Sequence, residues 1–101
     1  MGYRKYLVWV APQADQRFAS HLAFLARVSE RAAFGLYDAY QGALEFLADN
    51  PESCPRYAPK ATLRAKLFGK RYRIVFEIAD NTVHIYDIQD CRQSTDKNLV
   101  Q

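Results

Sequence analysis

The sequence predicts an α+β domain: a helical hairpin packed on one face of a small, largely antiparallel four-stranded sheet, in the order β-α-α-β-β-β. Two patterns carry the prediction. Between Pro12 and Asp49 the large apolar residues recur at spacings of three and four, in two segments parted by Ser29. Between Leu63 and Gln89 the chain instead alternates residue by residue, and Gly69-Lys70 and Asp80-Asn81 interrupt it. A further aromatic and β-branched run precedes the helices. The 101 residues suit one domain spanning 1–101, with no internal repeat or low-complexity segment.

Tyr3 to Val10 reads as a strand with large apolar residues on both faces: Leu7 and Trp9 on one, Tyr6, Val8 and Val10 on the other. Ala11-Pro12 ends it, and proline suits the first turn of the helix that follows, about Pro12 to Val28. Phe18, Leu22, Leu25 and Val28 form that helix's apolar stripe. Ser29 is placed to cap a second helix, about Glu30 to Asp49. Its buried face is read as Ala33, Leu36, Tyr37, Tyr40, Leu44 and Leu47, and Asn50-Pro51 stops it. The short connection and matched stripes predict an antiparallel helix pair.

Glu52 to Thr62 has no period and reads as a loop. The next strand is about Leu63 to Phe68, with Arg64 and Lys66 on one face and Leu63, Ala65 and Leu67 on the other. Gly69-Lys70 is read as a two-residue turn into a strand from Arg71 to Ala79. There Tyr72, Ile74, Phe76 and Ile78 alternate against Arg71, Arg73, Val75 and Glu77. The last strand, Thr82 to Gln89, is apolar on both faces and is expected to be central. With the helices on one face, the other is expected to present Arg64, Lys66, Arg71 and Arg73 together. The polar tail from Asp90 is read as a short helix or loose chain.

Half of the residues are hydrophobic and 14% aromatic, enough for a core and against wholesale disorder. No apolar run approaches the roughly 20 residues of a membrane helix, and no signal peptide is read, so a cytoplasmic protein is expected. Two cysteines, Cys54 and Cys91, and two histidines, His21 and His84, give no zinc-ligand spacing. The net charge is +3, but its distribution is uneven. Ser53 to Phe76 contains no acidic residue, yet holds Arg56, Lys60, Arg64, Lys66, Lys70, Arg71 and Arg73, half of the 14 basic residues. Such a block points to an anionic partner, most plausibly nucleic acid.

The segment Leu63-Arg64-Ala65-Lys66-Leu67-Phe68-Gly69-Lys70-Arg71-Tyr72-Arg73-Ile74-Val75-Phe76-Glu77 resembles the signature hairpin of RelE/ParE toxins. Tyr86-Asp87-Ile88-Gln89-Asp90-Cys91-Arg92-Gln93 is similar to their closing strand with its arginine, and the strand leading into Pro-x-Ala and the Asn50-Pro51 stop fit the same pattern. The resemblance implies the toxin of a bacterial type II toxin–antitoxin system, neutralised by a cognate antitoxin and needing no metal or other cofactor. It leaves three activities open: an mRNA endonuclease acting on the ribosome, a DNA gyrase inhibitor acting by binding, or an inactive member that only binds its antitoxin.

For the nuclease, metal-free cleavage needs a base for the 2′-hydroxyl, cations on the phosphate and an acid for the leaving oxygen. By position the resemblance gives Lys66 the base or phosphate-stabilising role. It gives Arg73 transition-state stabilisation, and Arg92 phosphate contact or leaving-group assistance. Lys60, Arg64, Lys70, Arg71, His84 and Tyr86 are the expected substrate-binding residues. One departure stands out: related nucleases carry an aromatic or histidine near the C-terminus, and Gln93 to Gln101 has neither. His84 and Tyr86, on one strand face, are the candidates to replace it.

Overall fold

The computed structural model describes residues 5–57 and 60–91. Strand β1 (Leu7–Val10) leads into helices α1 (Pro12–Val28) and α2 (Glu30–Asp49), and a single 3-10 turn (Pro51–Ser53) follows. Strands β2 (Leu63–Phe68), β3 (Tyr72–Ala79) and β4 (Thr82–Asp90) complete the chain. The sheet order is β1-β4-β3-β2; β1 runs parallel to β4, and the other pairs are antiparallel. The expected α+β architecture is present, with β4 central.

Local chemistry accounts for the element ends. Pro12 opens α1, where its missing N–H has no intrahelical partner in any case. The Ser29 hydroxyl accepts from the Ala32 N–H at 3.1 Å and caps α2. One face of the sheet packs against the hairpin: Ile74, Phe76, Val83, Ile85 and Ile88 are fully buried there with Leu47, and Phe18 stacks on Tyr40 at 3.9 Å between ring centroids. β1 pairs with β4 only as far as Ile85. Beyond that point α1 lies along β4, and His21 Nε2 sits 3.2 Å from the Ile88 carbonyl. The tail expectation, from Arg92 on, lies outside the described residues.

Two expectations are corrected. Val28 and Tyr37, assigned to apolar stripes, are 73% and 46% exposed. Val28 is the last residue of α1, beside the Ser29 connection, and Tyr37 turns into the groove between the helices while its neighbour Leu36 enters the core. The second correction changes the sheet's chemistry. Phe68 pairs with Tyr72, so the β2–β3 connection has three residues, Gly69, Lys70 and Arg71, and β3 begins at Tyr72 rather than Arg71. Gly69 and Lys70 both take left-handed backbone, φ 59° and 74°. Gly69 is needed there, because a Cβ would lie 2.9 Å from a Leu36 methyl.

That extra residue inverts the expected pairing. A two-residue turn would place Lys66 opposite Arg73; the three-residue connection places Lys66 opposite Ile74 and Leu67 opposite Arg73. Partners in register share a face, so a shift of one sends every side chain of β2 to the other side. Arg64 and Lys66 therefore project on the helix side of the sheet, and Leu63, Ala65 and Leu67 on the open side. The expected single basic face does not form.

Candidate functional site

The basic residues fall into separate environments. Lys66 reaches α2, its ammonium 4.2 Å from the centroid of the Phe46 ring. Arg64, half-buried, donates to the carbonyls of Glu52 and Cys54 at 3.1 and 2.7 Å and binds the 3-10 turn to the edge of the sheet. Arg73 lies across the sheet from both. Its guanidinium donates to Gln89 Oε1 from Nε at 3.1 Å and from an η nitrogen at 2.7 Å. It also stacks on the Tyr57 ring at 4.7 Å, and the Tyr57 hydroxyl donates to the same Gln89 oxygen at 3.2 Å.

The other predicted residues are dispersed. Lys60 is exposed in the segment before β2. Lys70 and Arg71 occupy the β2–β3 connection, and the Arg71 carbonyl accepts from the Cys91 N–H at 2.7 Å. His84 and Tyr86 share the open sheet face, with near-parallel rings 6.5 Å apart. Arg92, assigned a catalytic role, lies outside the described residues. No group of three or more His, Cys, Asp or Glu able to hold a metal occurs among the described residues.

Gln89 and Glu77 are partners that sequence reading did not supply. The tight turn at Asp80-Asn81 sets Ala79 opposite Thr82 and Glu77 opposite His84. Continued regularly, that register would bring Ile88 to Arg73. A bulge at Tyr86 shifts it by one, so Gln89 faces Arg73 instead. The Glu77–His84 pairing was available from the turn; the Arg73–Gln89 pairing was not.

A different surface is apolar. Phe24, Val28 and Phe34 are exposed near the Ser29 connection that joins the two helices, 64%, 73% and 72% respectively. A groove of about 530 Å³ runs between the helices there, lined by Leu22, Ala26, Ala33, Phe34, Tyr37 and one charged residue, Glu30. Phe34 lines this groove and Phe24 and Val28 lie outside its lining; exposed apolar side chains at one end of the hairpin are the kind of surface that marks interaction.

The profile of the ParE toxin of the type II toxin–antitoxin system parDE matches residues 8–95. The chain belongs to the ParE toxin family. No curated protein matches the sequence. Among solved structures, a chain of the chromosomal ParDE toxin–antitoxin system from P. aeruginosa superposes with a TM-score of 0.72. The match covers 85% of this chain and 96% of that one at 9% identity. At that identity the likeness is one of fold. For a ParE-family chain the separation of Arg64 and Lys66 from Arg73 is therefore a feature of β2 register within an intact family fold. Membership implies a cognate antitoxin as partner. No helix among the described residues is long and apolar enough to cross a membrane.

Proposed function

We propose that this toxin arrests growth by binding DNA gyrase through its helical hairpin, without cleaving RNA. The observation that carries the reading is the split of the basic residues. Metal-free cleavage needs cations converging on one phosphate, and here Arg64 and Lys66 project on one side of the sheet and Arg73 on the other. Each is also engaged within the fold: Arg64 by backbone carbonyls, Lys66 by Phe46, Arg73 by Gln89 and Tyr57. The exposed hairpin aromatics supply what a binding toxin needs, an apolar surface free to be covered. Membership of the ParE family supports the same target.

A second reading, mRNA cleavage on the ribosome, has one observation in its favour: Arg73 sits beside Tyr57 and Gln89 on the uncovered sheet face. The two readings separate in a cell-free translation reaction with mRNA ends mapped by primer extension. Intact mRNA, from protein that stops growth when expressed without antitoxin, is the expected result. Cuts that depend on ribosomes and vanish in Arg73→Ala would overturn it.

A further inference from the structure

The open sheet face carries a second constellation, remote from the hairpin. Trp9 of β1, His84 of β4 and Glu77 of β3 are successive partners in register, so they form one rung across three adjacent strands. The Trp9 and His84 rings lie 5.7 Å apart at 61°, and Tyr86 lies nearly parallel to His84. Trp9 is 49% exposed and Tyr86 38%. On the β1 side of the rung a recess of about 520 Å³ opens, lined by Leu7, Val8, Trp9, Thr82 and His84; Glu77 and Tyr86 border His84 on its other side.

We propose that the Trp9–His84–Glu77 rung binds a guanine base. His84 and Tyr86 offer a floor for a planar ring, and Trp9, inclined to His84, offers a wall; flat aromatic surfaces of this kind stack any base. Glu77, at the far end of the rung, makes the choice among bases. Guanine presents two adjacent donors, N1–H and the N2 amino group, along its pairing edge. A carboxylate presents two parallel acceptors and no donor. Adenine and cytosine set an acceptor beside their donor, and uracil flanks its donor with two acceptors, so each opposes a carboxylate oxygen with a lone pair.

Glu77 is held for that task. Its carboxylate accepts from the Tyr86 hydroxyl at 3.0 Å, and the Thr62 hydroxyl bonds to it as well. These bonds, Thr62's the stronger, hold its carboxyl below the ordinary value, so it is an anion at neutral pH. A carboxylate has about four acceptor positions, so two hydroxyls leave room for two further donors. Lys60 lies close enough to act on the charge of Glu77, and its exposed ammonium is available to a phosphate attached to the base. The same base could arrive on a free nucleotide or in a single strand of nucleic acid.

Trp9 is the only tryptophan in the chain, so its fluorescence reports on the rung directly. The full-length protein is titrated with 5′-GMP, AMP, CMP and UMP, and with single-stranded oligonucleotides that contain or lack guanine. Equilibrium dialysis of the labelled mononucleotides gives a readout independent of quenching. GMP should bind about tenfold or more tightly than the other three. Glu77→Gln, which keeps an acceptor for Tyr86 but turns one oxygen into a donor, should remove that preference, since one guanine donor would then face a donor. Tighter binding of the guanine oligonucleotide than of GMP would identify a strand as the source, and the reverse a free nucleotide. Equal binding of all four mononucleotides, no binding in dialysis, or an unchanged preference in Glu77→Gln with an unaltered circular dichroism spectrum would overturn the proposal. Gyrase inhibition is a separate readout, so neither result decides the other.

Discussion

Arg64 shows how a basic residue in a functional-looking stretch serves the fold. Its two bonds to the carbonyls of Glu52 and Cys54 close the end of the 3-10 turn against β2. Arg64→Ala leaves those carbonyls without their charged donor and should lower stability by about 1–3 kcal/mol, seen as an earlier urea midpoint. Tyr40 illustrates the opposite case. It is 5% exposed, and among the described residues its hydroxyl has no hydrogen-bond partner. Burial first, and then the nearby Asp15 and Tyr37, push its phenol up to about 12. The folded state thus favours the neutral form: the contribution is complete below the ordinary value near 10 and is lost as pH rises through 12. Tyr40→Phe should flatten the fall in stability between those two values. At neutral pH it should leave stability unchanged or slightly raised, because it removes an unpaired buried hydroxyl. Denaturant melts at pH 7 and pH 11 check both parts.

Among the elements, the helices were the most legible in the sequence. Their limits follow from Pro12, Ser29 and Asn50-Pro51, each of which acts on the backbone within one turn. Ser29→Ala should cost about 1 kcal/mol by removing the hydroxyl acceptor at the start of α2, measurable as a lower thermal midpoint. The strands were legible as strands, because alternation survives without knowledge of the partner. Their register was not. It depends on whether Arg71 belongs to the turn or to the strand, and that is decided by the left-handed backbone at Gly69 and Lys70 and by the close approach of Leu36 to Gly69. A single residue there decides whether Lys66 faces Arg73 or Ile74. The bulge at Tyr86 is likewise invisible in a periodic reading, because Tyr86 continues the alternation from His84 while the pairing slips beneath it. The basic residues were legible one by one; their placement on opposite sides of the sheet was not, because it follows from the register of β2.

For the whole molecule, the resemblance in ordered motifs led to the family that the profile over residues 8–95 shows. What that family fold does in this chain depends on which surface is free to act. Arg64, Lys66 and Arg73 are occupied by contacts within the chain, while the hairpin leaves Phe24, Val28 and Phe34 in solvent. Under the proposed function, toxicity resides in the hairpin and works by binding. The direct measurement is ATP-dependent supercoiling by purified DNA gyrase in the presence of the wild-type toxin, Phe34→Glu and Arg73→Ala. Inhibition by the wild type and Arg73→Ala, with little or none by Phe34→Glu, is the expected result. Full supercoiling with the wild-type protein, or inhibition lost in Arg73→Ala and kept in Phe34→Glu, would contradict it.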